Sequence, residues 1–117
     1  MESVLALLDP EIEIYAPPDV GNPGTYHGHD GFLNWIGHWN EAWDEFRQEL
    51  RGVEPIGERH VVADMLQTAR GRASGVELKL AVTYVYEVGD GRATYMSLHL
   101  DGEQARAAAR EREAAGA

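Results

Sequence analysis

Gly89-Asp90-Gly91-Arg92 constrains the fold of this chain more than any other stretch. An Asp-Gly pair tolerates the positive φ that tight primed turns require, so the extended segments on either side, 76–88 and 93–100, are tied together as antiparallel neighbours. Two more long extended segments come before them, 48–56 and 61–69, separated by Ile56-Gly57-Glu58-Arg59-His60 and by the stretch from Gly71 to Gly75. The result is a meander of antiparallel strands. With 117 residues and no Pro/Gly/Ser-rich linker splitting it, the chain has room for one domain with one core, 1–117.

The first half supplies the partners of that meander. Glu11 to Ala16 alternates with period two, setting Ile12, Ile14 and Ala16 on one face and Glu11, Glu13 and Tyr15 on the other. Val4, Leu5, Leu7 and Leu8 before it follow a helical rhythm that Asp9-Pro10 stops. Pro17-Pro18-Asp19-Val20-Gly21-Asn22-Pro23-Gly24 reads as a surface loop. Asp30 then caps a helix predicted over 31–46, in which Phe32, Leu33, Trp35, Ile36, Trp39, Trp43 and Phe46 crowd one broad face. The Ala/Arg/Glu tail, 102–117, is helix-prone but carries almost no large apolar side chain to dock with, so fraying is expected there. The fold class is α+β.

Charge narrows the partners. Ten Lys+Arg against twenty Asp+Glu leave a formal net charge of −10, which repels phosphate backbones and anionic lipid surfaces, so neither nucleic acid nor membrane is expected as a partner. No apolar run approaches the length of a transmembrane helix, and Glu2 stands where a secretory signal carries basic residues; a cytoplasmic protein is expected. The absence of Cys excludes disulfides, thiolate nucleophiles and Cys-ligated zinc.

Leu-Leu-Asp-Pro-Glu-Ile-Glu-Ile-Tyr-Ala-Pro-Pro (7–18), Tyr-His-Gly-His-Asp-Gly (26–31), Ser-Gly-Val-Glu (74–77) and Gly-Asp-Gly-Arg…Ser-Leu-His-Leu-Asp (89–101) occur in an order that resembles the nuclear-transport-factor-2-like superfamily, in its SnoaL-like branch. The resemblance covers nearly the whole chain. It implies a cone: a strongly curved, mostly antiparallel sheet wrapped around helices, a cystatin-like α+β barrel whose concave face encloses an apolar cavity. Members range from ketosteroid isomerases, scytalone dehydratase, limonene epoxide hydrolase and polyketide cyclases to non-catalytic transport and dimerisation modules, so the fold alone does not fix an activity. Members also begin with a long first helix that this chain lacks, which leads us to expect an in-frame amphipathic stretch upstream of Met1.

Taken with the alternation, the resemblance implies a cavity lined by Ile14 and Ala16 from the first strand, Thr83 and Val85 (with Ala81) from the penultimate strand, and Met96 and Leu98 (with Leu100) from the last. Trp39 and Trp43 close its top and Tyr26 packs nearby. Tyr84, Tyr86 and Tyr95 are then left on the outer face, as aromatic surface for a homodimer. The positions matched to the isomerase general base and oxyanion-hole Asp hold Ala16 and Thr83, and the matching Tyr belongs to the missing helix. Asp19, near the base position, is expected to be solvated in its loop.

Three other residues could do acid–base work. Asp64 interrupts an apolar strand, where a carboxylate is either a base with a raised pKa facing the cavity or a residue of the convex face, beside Leu66 and Thr68, paired to an Arg. His99 and Asp101 make a His/Asp pair of the kind SnoaL-like cyclases use, although i and i+2 on a strand lie about 6–7 Å apart, too far for a ready hydrogen bond, and the face opposite Met96 is expected to be the outer one, which makes His99 an interface or surface residue instead. His38 sits beside Trp39 at the expected cavity mouth. His27, His29 and His38 lack a further ligand at metal-binding spacing, so no metal and no cofactor are expected. Two functions follow: a cavity protein binding an apolar small molecule, or an isomerase, lyase or cyclase moving a proton on a polyketide- or terpenoid-like substrate.

Overall fold

The computed structural model describes residues 6–16 and 24–116, without the side chains at positions 39, 40, 42, 45 and 46. The helical rhythm of 2–8 falls largely outside these residues, as does the Pro-rich loop with Asp19. In chain order come β1 (Leu8–Ala16), β2 (Gly24–His27), α1 (Gly28–Ala42), β3 (Trp43–Ile56), β4 (His60–Gly71), β5 (Glu77–Gly89), β6 (Arg92–His99) and α2 (Gly102–Gly116). The strands form one six-stranded sheet in the order β2-β1-β6-β5-β4-β3. All neighbours are antiparallel except β1 and β6, which run parallel. The sheet curls strongly into a half-barrel with two helices, the cone expected from the sequence.

Local chemistry explains most of the boundaries. Asp90 and Gly91 take φ of 53° and 78°, the primed geometry that an Asp-Gly turn supplies, and join β5 to β6. The helix α1 begins at Gly28, so Asp30 lies in its first turn, where a negative charge complements the exposed N–H groups. It ends at Ala42, earlier than its apolar rhythm suggests, because Trp43 already opens a 14-residue strand paired to β4. Pro55 is tolerated near the end of that strand because β3 lies at the sheet edge.

Each face of the sheet carries a helix. Phe32 and Trp35, three residues apart on α1, pack with Leu8, Ile12, Ile14, Ala63, Val82, Tyr84, Met96 and Leu98 into the main core. Burying a side chain such as Phe32 contributes about 1.5–3 kcal/mol. On the opposite face Ala105 and Ala109 of α2, fully buried, lie against Ile56, Val62 and Val85. The tail thus docks through small residues that let the helix approach closely, not through the large ones whose absence suggested fraying.

That second helix decides the orientation of β5. Thr83 and Val85 point towards α2, and Tyr84 and Tyr86 point towards α1, the reverse of the sequence expectation. Both faces of β5 are covered and both carry apolar residues, so alternation alone could not set the phase. Tyr95 is buried with the Arg112 guanidinium 3.4 Å above its ring, so these three tyrosines do not form a free outer surface for a second copy.

Candidate functional site

Between α1 and the concave face lies a recess of about 160 Å³. Leu8, Phe32, Trp35, Ile36, Gln48, Tyr84, Tyr86 and Met96 line it among the described residues. The spacing of Phe32, Trp35 and Ile36 puts all three on the helix stripe that faces the sheet. Tyr84 and Tyr86, on the same side of β5, stack with ring centroids 5.9 Å apart. A wider apolar groove of about 390 Å³ shares Leu8 and Tyr86 with the recess and continues past Leu7, Val61, Val88 and Ala93 to Arg92.

One polar cluster meets this lining. The Tyr84 hydroxyl accepts hydrogen bonds from Gln48 Nε2 at 2.8 Å and from Gln67 Nε2 at 2.9 Å. Burial pushes the Tyr84 phenol up to about 12, against the smaller opposing effect of the two amides, so the group is protonated at neutral pH. Burial, and secondarily the neighbouring Tyr84, push Tyr86 up as well. A second feature is the indole N–H of Trp35, which is buried and has no hydrogen-bond partner among the described residues.

The residues singled out in the sequence fall in several places. Met96 lines the recess, while Ile14 and Leu98 are buried in the core around it. Ala16 is buried at the end of β1, and Tyr26 is half-buried with its ring 6.5 Å from that of Trp35. Trp43 is half-buried at the start of β3 and not on the helix; the side chain of Trp39 lies outside the description. Thr83 and Val85 face α2, away from the recess.

Asp64 is also on the α2 side. Its carboxylate accepts from Thr83 Oγ1 at 2.9 Å and forms an ion pair with Arg106 at 2.8 Å. The Arg106 guanidinium is the main reason its pKa is held below the ordinary value, the opposite of a raised general base. His99 shares a 2.8 Å hydrogen bond with Ser97 Oγ, and Asp101 serves as N-cap of α2, accepting from the backbone N–H groups of Glu103 and Gln104. His38 is half-buried on α1, outside the recess lining. Asp64 and His99 thus share the α2 side of the sheet, in register on either side of Thr83, whereas His38 is on α1, which packs against the other face. Among the described residues there is no group of three or more His, Asp or Glu side chains placed to hold a metal ion.

A further ionisable cluster fastens α2. His60 is buried and shares a short hydrogen bond between Nδ1 and the Glu113 carboxylate, with Glu87 Oε1 at 3.7 Å from Nε2. Arg112 reaches Glu87 at 3.3 Å. The bond to His60 holds Glu113 below its usual range. This cluster is structural clasp rather than pocket.

The sequence profile of the SnoaL-like domain matches residues 1–96. The chain belongs to the SnoaL-like family. Solved structures agree on the fold. This SnoaL-like chain superposes on an NTF2-like protein of unknown function from Burkholderia pseudomallei with a TM-score of 0.76 and 25% identity, over 88% of this chain and 79% of that one. For TerC, crystallised with polyporic acid, the values are 0.75 and 24%, covering 88% and 80%. For a protein from Jannaschia named for its likeness to SnoaL polyketide cyclases they are 0.73 and 13%, covering 93% and 77%. Comparison with functionally curated proteins gives no significant match.

Gln48, Gln67, Tyr84 and Trp35 were not read as site residues from the sequence. The usable signal was Gln67, an amide in the middle of an otherwise largely apolar strand, which marks a buried polar partner nearby.

Proposed function

We propose that this SnoaL-like protein binds an apolar small molecule in the recess between α1 and the sheet. The observation that carries the reading is the lining itself: apolar and aromatic walls with few polar groups, those of Tyr84, Tyr86 and Gln48. Such a combination of greasy wall and few fixed polar groups is what small-ligand sites consist of. A cavity of about 150 Å³ lined by aliphatic and aromatic residues holds a benzene-sized guest. The recess is of that size, and the adjoining groove leaves room for a substituent.

Proton-transfer chemistry on a polyketide- or terpenoid-like substrate requires a base at the ligand. No carboxylate or imidazole is among the described residues of the recess lining, and Tyr84 holds its proton at neutral pH. That favours binding over turnover. The polyporic acid in TerC belongs to a structural neighbour whose likeness carries the fold, so the reading rests on this chain's own residues.

The test is a titration with planar apolar compounds, following Trp fluorescence and turnover together. Saturable quenching without turnover is expected. Turnover that is abolished by His38→Ala or Asp64→Asn would overturn the reading in favour of an enzyme.

A further inference from the structure

Resting on that reading, the groove beside the recess says what else the ligand carries. The recess has room for one ring, since about 150 Å³ is what a benzene-sized guest fills. The groove, at about 390 Å³, is more than twice as large and meets the recess at Leu8 and Tyr86, which line both. It continues along Val88 and Ala93 to Gly91 and Arg92 at the β5–β6 turn. Met96 in the recess and Arg92 at the turn are four positions apart on β6, about 13 Å at the ordinary rise of a strand. Leu7, 64% exposed, and Val88, 39% exposed, leave this apolar wall facing water. A long, narrow, apolar body would cover it, with a gain of up to about fourfold in affinity for each methylene buried.

The end of the groove differs from its walls. Arg92 is the one charged residue in the described lining of either space. It is exposed and has no ion-pair partner among the described residues, although the chain carries twenty Asp+Glu. Asp90 belongs to the same turn but is not part of that lining. The charge that this end complements is therefore negative. At an exposed rim a carboxylate keeps most of its hydration while it meets the guanidinium, so the burial cost that an ion pays inside the recess does not arise.

We infer that the site takes an aryl-alkanoate: a single ring in the recess, an unbranched alkyl chain along the groove, and a carboxylate at Arg92. The recess sets the size of the ring and the distance to Arg92 sets the length of the chain.

The experiment titrates ω-phenylhexanoate, phenylacetate and ω-phenylhexanol into ¹³C-labelled protein, following the methyl signals of Met96 in the recess and of Val88 and Ala93 in the groove. ω-Phenylhexanoate is expected to move all three in a saturable manner and to bind more tightly than phenylacetate, whose carboxylate cannot reach the turn. Arg92→Gln is expected to weaken ω-phenylhexanoate about two- to fivefold, the worth of an exposed ion pair, and to leave ω-phenylhexanol unchanged. Arg92→Lys is expected to restore the acid, and Arg110→Gln, the same change of net charge at an exposed position of α2, to have no effect. If Met96 responds but Arg92→Gln leaves the acid unchanged, or weakens the alcohol equally, the carboxylate assignment is overturned and the binding reading stands. If Met96 responds while Val88 and Ala93 do not, or phenylacetate binds as tightly, the groove is not part of the site, and again only this inference falls. If no compound moves Met96, the binding reading falls with it. Arg92 is exposed beside a turn and outside the core, and the comparison of chain lengths in the wild-type protein needs no variant.

Discussion

Tyr84 uses one oxygen to hold two amides, and that arrangement fixes three strands at once: Gln48 on β3, Gln67 on β4 and Tyr84 on β5. Removing the hydroxyl leaves the buried Gln67 amide without its acceptor. Tyr84→Phe is therefore expected to destabilise the fold by about 1–3 kcal/mol, read from the midpoint of urea unfolding. The phenol itself should titrate near pH 12 in a spectrophotometric titration. Because the folded state favours the neutral form, this group's contribution is present in full below the ordinary tyrosine value of 10.0 and is lost as pH rises through the folded value. Gly57 makes the opposite kind of demand. With φ of 69° and the Glu113 side chain where a Cβ would stand, Gly57→Ala strains the turn and pushes on the clasp at His60.

At the scale of elements, α2 is the part whose docking depends most on charge and on small size. Ala105 and Ala109 touch the sheet where no larger side chain fits, so Ala109→Leu is expected to cost about 1–3 kcal/mol by overpacking, measured by the same unfolding experiment. Two carboxylates anchor the helix to the sheet, Asp64 through Arg106 and Glu113 through His60, and both are held below their ordinary values of 3.8 and 4.5. Depressed carboxylates stabilise above the unfolded-state value and lose that contribution as pH falls through the lower folded value. The helix should accordingly loosen below about pH 4 before the core melts, visible as early shifts of the Ala105 and Ala109 methyl signals in an acid titration. The strands and their turns were legible in the sequence because alternation and the Asp-Gly hairpin act locally. The docking of α2 was not, since its anchors are alanines and ion pairs whose partners lie 25 to 54 positions away in sequence.

Over the whole molecule, the two covered faces explain what the sequence revealed of the site and what it hid. The cone was readable from element order, and Met96 from the alternation of β6, whose partners lie on either side of it. The phase of β5 was hidden because both of its faces are buried, which moved Thr83 and Val85 to the wrong side and Tyr84 and Tyr86 off the recess. Asp64 followed the same logic: a carboxylate inside an apolar strand needed a partner, and it found Arg106 across the sheet face rather than a ligand. Tyr84 and Tyr86 thus lie on the side of α1, while Tyr95 lies on the side of α2 beneath Arg112. The most direct measurement of the proposed site is the set of intermolecular NOEs from a bound planar apolar compound. The account predicts contacts to the Met96 methyl and to the Phe32 and Tyr84 rings. Contacts confined to the α2 face, around Val62 and Val85, would contradict it.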